Sequence, residues 1–271
     1  MKKLLFLLIF LILSPSLRAD EPERELISSP YVSDRHYQSP IQEVTNKLSF
    51  SLATDFFSRY VSRGQAASTG PVWQPSAYIA AHGAGFSVWG NYVLNNEPNQ
   101  GEFNEIDLMP YYGTHFGKVE FDTSMSGIFY VNRNRASLNT NPNSLESDFH
   151  LAYPVGFLKV FADSTIQWIG TRGAFYGQIG VRHQWDLKDN FHIKTSTWVG
   201  MANNIYNKVN LADVGFKLNQ FAFALQFPWA PAKGWGVAPS FHVSTLLPHS
   251  LRRAVASPTL VWGGISLTYD F

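Results

Sequence analysis

Four carboxylates and two arginines have the types and spacing that point most directly to chemistry in this sequence. They are Glu105, Asp107, Glu146, Asp148, Arg59 and Arg63. Their spacing of two or four residues places each group on one face of a β-strand. Acidic and basic side chains on opposite walls of a pore set a transverse field, which orients and filters polar solutes. The alternative is that these groups pair across the lumen and close it, and the sequence favours neither reading.

Aromatic residues share the predicted inward face with these charges. They are Trp89, Tyr111, Trp198 and Trp262, together with Tyr78 and Tyr176. In a selective channel, such rings can stack on sugar rings, whereas in most interiors inward aromatic side chains fill space. Both interpretations stay open at this level.

Catalytic signatures are missing from the sequence. It contains no G-x-S-x-G, H-E-x-x-H or Walker motif, so the common hydrolase, zincin and nucleotide sites lack their local marks. The eight histidines are scattered. A barrel enzyme that modifies lipid would need a histidine and a serine within hydrogen-bond reach, and the spacing supplies no such pair. We therefore predict a protein that is not an enzyme and that uses no cofactor.

Charge and cysteine content exclude further classes of protein. The chain of 271 residues has 21 Lys and Arg against 20 Asp and Glu, so no net field attracts nucleic acid. The absence of cysteine excludes disulfides and thiolate metal or redox sites. The remaining residues show no metal-ligand spacing, and we predict no metal site.

An alternation of apolar and polar residues with a period of two runs through most of the chain. In the first such segment Phe50, Leu52 and Phe56 oppose Ser51 and Asp55. Mean hydropathy is only −0.11, which fits strands that are apolar on one face alone. A soluble sandwich also alternates, but these segments are longer than its typical strands and end in aromatic residues, as bilayer-crossing strands do.

Twelve segments follow this pattern: 48–60, 73–82, 86–94, 103–115, 118–130, 144–153, 157–168, 174–185, 191–202, 214–227, 235–246 and 259–271. The connections alternate between short and long, as in outer-membrane barrels. We predict an all-β protein, a transmembrane antiparallel up-and-down β-barrel of about 12 strands with both termini periplasmic. The parity slips near Asn219, which predicts a bulge, and we also expect local bulges at Pro75, Pro110 and Pro239.

The N-terminal region differs from the rest of the chain. Lys2 and Lys3 precede an apolar run over 4–13, and a small residue stands at Ala19. This layout predicts a signal peptide over 1–19, because ten apolar residues are too few to span a bilayer as a helix. The polar, proline-containing segment 20–47 is predicted to be a periplasmic N-terminal extension. The outer-membrane β-barrel then covers 48–271.

Several short motifs carry a resemblance to a known family. They are S-R-Y-V-S-R-G over 58–64, Q-P-S over 74–76, V-W-G-N over 88–91 and F-N-E-I-D over 103–107. Over about 48–130 the chain resembles a family of bacterial outer-membrane β-barrel proteins of uncharacterised function. The resemblance implies the fold and the location, and it implies no substrate or catalytic residue.

The C-terminal strand ends in an assembly signature. Leu267, Tyr269 and Phe271 share one face, which looks like the signature that the outer-membrane assembly machinery reads. We expect that machinery and outer-membrane lipid as partners. The leading functional hypothesis is a narrow channel or uptake protein for small polar solutes. The first alternative is a closed structural or interaction barrel of the envelope, and the last is a lipid-modifying barrel enzyme.

Overall fold

The computed structural model describes residues 48–95, 100–131 and 143–271. Its barrel consists of strands β1 (Ser49–Phe57), β2 (Val72–Ala81), β3 (Ala84–Val93), β4 (Phe103–Phe116), β5 (Val119–Phe129), β6 (Ser144–Val155), β7 (Leu158–Ile169), β8 (Phe175–Lys188), β9 (Phe191–Ala202), β10 (Lys217–Gln226), β11 (Trp235–Leu246) and β12 (Thr259–Asp270). The predicted signal peptide and N-terminal extension lie outside the described residues.

The twelve strands close into a barrel. Each strand pairs antiparallel with the next along the chain, and β12 pairs with β1 from Ser51 opposite Asp270 to Phe57 opposite Gly264. At the rim, the N–H of Phe271 donates to the carbonyl of Phe50 at 3.1 Å. The predicted all-β, antiparallel up-and-down barrel of about 12 strands is therefore confirmed. The observed boundaries lie within three residues of the predicted ones, and those of β9 and β11 are as predicted.

Inward and outward faces follow the predicted parity. In β1, Phe50 and Leu52 are exposed on the outer surface, whereas Ser51 and Asp55 are buried inside. In β12, Val261 is exposed on the outside and its neighbours on the inner face are buried. An apolar exterior around a polar interior is the arrangement of barrels that cross a membrane.

The predicted bulge at Asn219 is confirmed. The β9–β10 register shifts there, because Gly200 lies opposite Gln220 while Met201 lies opposite Leu218. The extra residue leaves Asn219 and Gln220 both buried, which explains why the apolar parity slips at this point.

The prediction of local bulges at three prolines is wrong. The β2–β3 register is the same on both sides of Pro75, and the β4–β5 register is the same on both sides of Pro110. Pro239 lies within an unshifted β11–β12 register, opposite Ile265. Because proline lacks only the N–H donor, individual pairings drop out while the alignment of the strands is kept.

The two ends of the barrel differ in their connections. Turns of two residues, such as 82–83 and 117–118, lie at the end where β12 finishes. Longer connections lie at the opposite end, and two of them contain helices α1 (Asn204–Leu211) and α2 (His249–Ala254), which the sequence analysis treated as loops. Among the described residues, no helix has the length and apolar content needed to cross a bilayer.

Helix α1 is capped and packed onto the rim of the barrel. The side chain of Asn203 accepts a hydrogen bond from the N–H of Tyr206 at 3.0 Å, which satisfies one of the free donors of the first turn. Tyr206 and Leu211 of α1 and Leu251 of α2 form one buried cluster with residues of β8, β9 and β11. The helices therefore give this end of the barrel a fixed wall.

Candidate functional site

The barrel lumen holds the residues that the sequence analysis singled out. Trp89, Trp198 and Trp262 are buried on inner faces, and Tyr111 is partly buried on the inner face of β4. The inward orientation expected for these aromatic residues agrees with the structure. Whether they stack on a solute stays a prediction.

The connection between β1 and β2 folds into the barrel. Within it, residues 61–62 pair with residues 65–66, and we call residues 61–66 the lumen hairpin. The two residues at its tip, Arg63 and Gly64, have φ values of +50° and +79°, which only glycine adopts without strain. Both tip residues are buried, so the hairpin lies inside the lumen.

Arg63 carries the hairpin to the far wall. Its Nη2 atom lies 2.7 Å from Oε2 of Glu146 on β6, and both side chains are less than 10% exposed. The guanidinium carbon also lies 5.4 Å from the ring of Tyr176 on β8 and 5.7 Å from the ring of Tyr206 on α1. In a barrel of twelve strands, β6 and β8 lie across from β1. The lumen hairpin therefore spans the lumen.

Strand β1 is shorter than predicted, which corrects the expected position of the two arginines. The strand ends at Phe57, so Arg59 and Arg63 belong to the connection after it and do not form part of a basic wall on β1. Arg63 instead pairs with the acidic wall. The Nε atom of Arg59 is buried and has no hydrogen-bond partner within the described ranges.

The four predicted acidic residues line one side of the lumen. Glu105 and Asp107 on β4 are buried, as is Glu146 on β6, and only β5 separates these two strands. Three hydroxyl groups donate to the Asp148 carboxylate: those of Ser124 at 3.1 Å, Ser126 at 2.8 Å and Thr165 at 2.7 Å. These hydrogen bonds hold the Asp148 side chain between β5 and β7.

A second polar network was missed by the sequence analysis. Glu120 on β5 pairs with Lys159 on β7 and with Arg182 on β8, the latter at 2.8 Å. Nearby, Asp163 contacts His150 and accepts a hydrogen bond from Gln178 at 2.6 Å. Period-two parity alone could have marked these residues as inward. Their pairing, however, depends on the register of four strands.

The opposite wall is built differently. There His242 of β11 stacks on Trp262 of β12 with ring centroids 5.1 Å apart, and Phe57 approaches the histidine edge-on at 6.0 Å. Towards the end where β12 finishes, the inward residues become small, among them Gly236 and Ala238. Charged pairs therefore fill one side of the lumen. On the other side, the aromatic rings of His242 and Trp262 lie farther from the end where β12 finishes, and small residues line the part close to that end. In the part of the chain that the structure describes, no group of three or more His, Asp or Glu residues could hold a metal ion.

Solved structures that are similar to this chain include an outer-membrane channel and a porin. An outer-membrane channel from Pseudomonas putida F1 matches with a TM-score of 0.52 at 8% identity, covering 82% of this chain and 95% of that one. The two chains share the barrel fold. The KdgM porin matches with a TM-score of 0.49 at 11% identity, covering 82% of this chain and 99% of its own. No protein-family model matches the sequence, and a search of curated proteins found no match.

Proposed function

We propose that this protein is an outer-membrane channel for small polar solutes, narrowed by the lumen hairpin. The observation that carries the proposal is the docking of Arg63 on Glu146, which places a constriction inside an otherwise polar lumen. The fold shared with the Pseudomonas putida F1 channel supports it. A channel needs polar groups along the solute path, and the inner faces supply them.

The charges at the constriction favour cations. Four carboxylates stand on β4 and β6, and Arg63 offsets one of them directly through its ion pair. A low-dielectric wall focuses the field of the acidic residues that it carries into the lumen. We therefore expect a cation preference that depends on Glu105, Asp107 and Asp148.

The end with short turns is the periplasmic end in this proposal, because outer-membrane barrels have short periplasmic turns and long outer loops. Phe271 lies at that end, where its ring contacts those of Phe50 and Tyr269 at 5.1 Å and 4.7 Å. This aromatic group would stand at the interface with lipid. With Leu267 and Tyr269, Phe271 would also present the assembly signature to the outer-membrane machinery.

Planar-bilayer recording tests the channel. We would compare the wild type with the variant Glu105→Gln/Asp107→Asn/Asp148→Asn, which keeps side-chain size and removes charge. Conductance should persist and shift towards anions. Asp186→Asn is the matched control, because this carboxylate is 56% exposed at the other end of the barrel. A folded wild type that never conducts would remove the channel proposal.

A closed barrel is the second candidate, and the burial of the lumen favours it. Trp89 and Asp107 are each only 1% exposed, and the Arg63–Glu146 pair bridges the two walls. A structural or interaction barrel needs no open path. It predicts no conductance, even in a Glu146→Gln variant that releases the hairpin.

A further inference from the structure

The far wall of the lumen holds a site shaped for a cation, and the guanidinium of Arg63 occupies it. This group donates to Oε2 of Glu146 at 2.7 Å, and its carbon lies 5.4 Å and 5.7 Å from the rings of Tyr176 and Tyr206. All four residues are buried. A carboxylate beside two aromatic rings is an arrangement that binds organic cations. We call Glu146, Tyr176 and Tyr206 the cation cage.

The barrel holds the cation cage in place independently of the lumen hairpin. Glu146 and Tyr176 lie within the ladders of β6 and β8. Tyr206 lies in the first turn of α1, which the Asn203 side chain caps at 3.0 Å. The rings of Tyr176 and Tyr206 also contact each other, with centroids 5.5 Å apart. The cage therefore keeps its shape when Arg63 leaves.

The lumen hairpin is an occupant that can leave the cage as a unit. The carbonyl of Tyr60 accepts hydrogen bonds from the N–H groups of Ala67 at 2.8 Å and Ser68 at 3.0 Å, which close the base of the hairpin. At the tip, Arg63 has a φ of +50°, in the left-handed region that is unfavourable for residues other than glycine. Such strain persists only while surrounding contacts enforce it. Undocking relieves it and leaves the barrel ladders paired.

We propose, on the basis of the proposed function, that the cation cage binds a small solute with a guanidinium group and that Arg63 competes with this solute for the cage. A solute that enters the cage displaces Arg63 and frees the hairpin. The same solute therefore opens the channel through which it passes. Glu105 and Asp107 line the same side of the lumen, and such an acidic wall raises the local concentration of cations.

The chemistry of the cage suits a guanidinium better than other ions. A hard metal ion such as Ca²⁺ needs about six or more oxygen ligands, and the cage supplies one carboxylate. A guanidinium is planar and weakly hydrated, donates to a carboxylate and stacks on aromatic rings. An anion would face the like charge of Glu146. The cage thus selects the group that Arg63 itself presents.

Calorimetric titration of the purified full chain in detergent tests the cage, with methylguanidinium as the probe and methylurea as a neutral analogue of similar shape. Arg63→Ala empties the cage and should bind methylguanidinium saturably, but not methylurea. The wild type should bind the probe about tenfold or more weakly, because the docked hairpin occupies the cage for most of the time.

Two double variants separate the cage from the rest of the lumen. Arg63→Ala/Glu146→Gln should bind methylguanidinium about tenfold or more weakly than Arg63→Ala, because it lacks the counter-charge. Arg63→Ala/Asp186→Asn is the matched control and should bind as Arg63→Ala does, because Asp186 is exposed at the other end of the barrel. Retarded migration after heating in detergent gels confirms that each barrel is folded.

Planar-bilayer recording tests the competition. Methylguanidinium should raise the open probability of the wild type with increasing concentration, whereas methylurea, or potassium chloride at the same ionic strength, should not. An equal response to potassium chloride would show that the cage does not select a guanidinium.

Three calorimetric results would overturn the proposal: no saturable binding by folded Arg63→Ala, equal affinity in Arg63→Ala and Arg63→Ala/Glu146→Gln, or equal affinity in Arg63→Ala and the wild type. If Arg63→Ala fails to fold, Gly64→Val keeps the test decisive, because it displaces the hairpin tip and should bind the probe more tightly than the wild type does. Binding without any conductance would remove the proposed function alone, whereas conductance without binding would remove the cage alone.

Discussion

Replacing Glu146 by glutamine should release the lumen hairpin from the far wall. The wild-type pair joins Nη2 of Arg63 to Oε2 of Glu146 at 2.7 Å, with side chains 8% and 3% exposed. The substitution keeps the shape of the side chain but leaves the Arg63 guanidinium buried without its main counter-charge. The rings of Tyr176 and Tyr206 still contact the cation, and they offset only part of the loss.

We expect Glu146→Gln to shift the equilibrium between the docked and the undocked hairpin, while the barrel itself stays folded. Removing one partner of a buried ion pair costs about 3 to 5 kcal/mol, and the lower figure suits a lumen that can admit water. Undocking exposes the cation and breaks none of the twelve strand ladders, so the cost falls on the docking equilibrium. At about 1.4 kcal/mol per factor of ten, 3 kcal/mol is roughly 150-fold. If the wild-type hairpin is docked for about 99% of the time, the hairpin of the variant would be undocked for more than half of the time.

Single-channel recording measures this shift as longer open times and larger mean conductance in Glu146→Gln. In the double variant Arg63→Met/Glu146→Gln, the fraction of docked hairpin should be closer to that of the wild type, because both members of the buried ion pair are removed together. Asp213→Asn is the matched control, since it breaks the Lys217–Asp213 ion pair of 2.8 Å near α1 at the same end of the barrel, and pairs of this type contribute little. Equal open probabilities in Glu146→Gln and Asp213→Asn would show that the Arg63–Glu146 pair does not hold the hairpin in place.

Three further predictions concern the hairpin tip, the register and one loop carboxylate. Gly64→Val should raise the open probability as Glu146→Gln does, because φ is +79° at this residue and an added Cβ would lie 3.1 Å from Cδ2 of Leu246. An unchanged open probability would contradict the docked hairpin. Ile265→Arg places a charge on the lipid face and should lower the free energy of unfolding, measured with urea in vesicles, by about 2 to 4 kcal/mol. Ser266→Arg on the inner face should lower it by less. Equal losses in the two variants would disprove the register. The hydrogen bond from Lys217 is the main cause that lowers the pKa of Asp213 from 3.8 to about 2. The pairing therefore stabilises the folded protein fully above pH 3.8, and this contribution is lost as the pH falls through about 2. A carboxyl titration by NMR with a midpoint near 3.8 would refute this prediction.

Local pattern was enough to predict the strands. Period-two alternation and turn residues are properties of a short window, so β9 and β11 were predicted with their observed ends. The slip at Asn219 was also visible locally, because a bulge moves one residue out of phase with its neighbours. The prolines misled the prediction, since the loss of one donor does not require an extra residue.

The site was predicted only in part, because its geometry depends on contacts distant in sequence. Parity placed Glu146 in the lumen correctly, but no local signal shows that Arg63, 83 residues earlier, folds across to meet it. The sequence contains one usable signal for helix α1, the N-cap asparagine Asn203. The prediction for this segment considered only the alternation of apolar and polar residues and therefore missed the helix.

Closure of the barrel also constrains the order of folding. The β1–β12 ladder joins residues more than 200 positions apart, as in the pairing of Phe57 with Gly264, whereas every other ladder between barrel strands joins neighbours along the chain. Loop closure over such a distance carries the largest entropic cost of all the pairings. Until it forms, β1 and β12 each present a row of unpaired backbone donors and acceptors, which invites pairing with another chain. A chain shortened before β12 would keep such edges permanently and should associate with copies of itself.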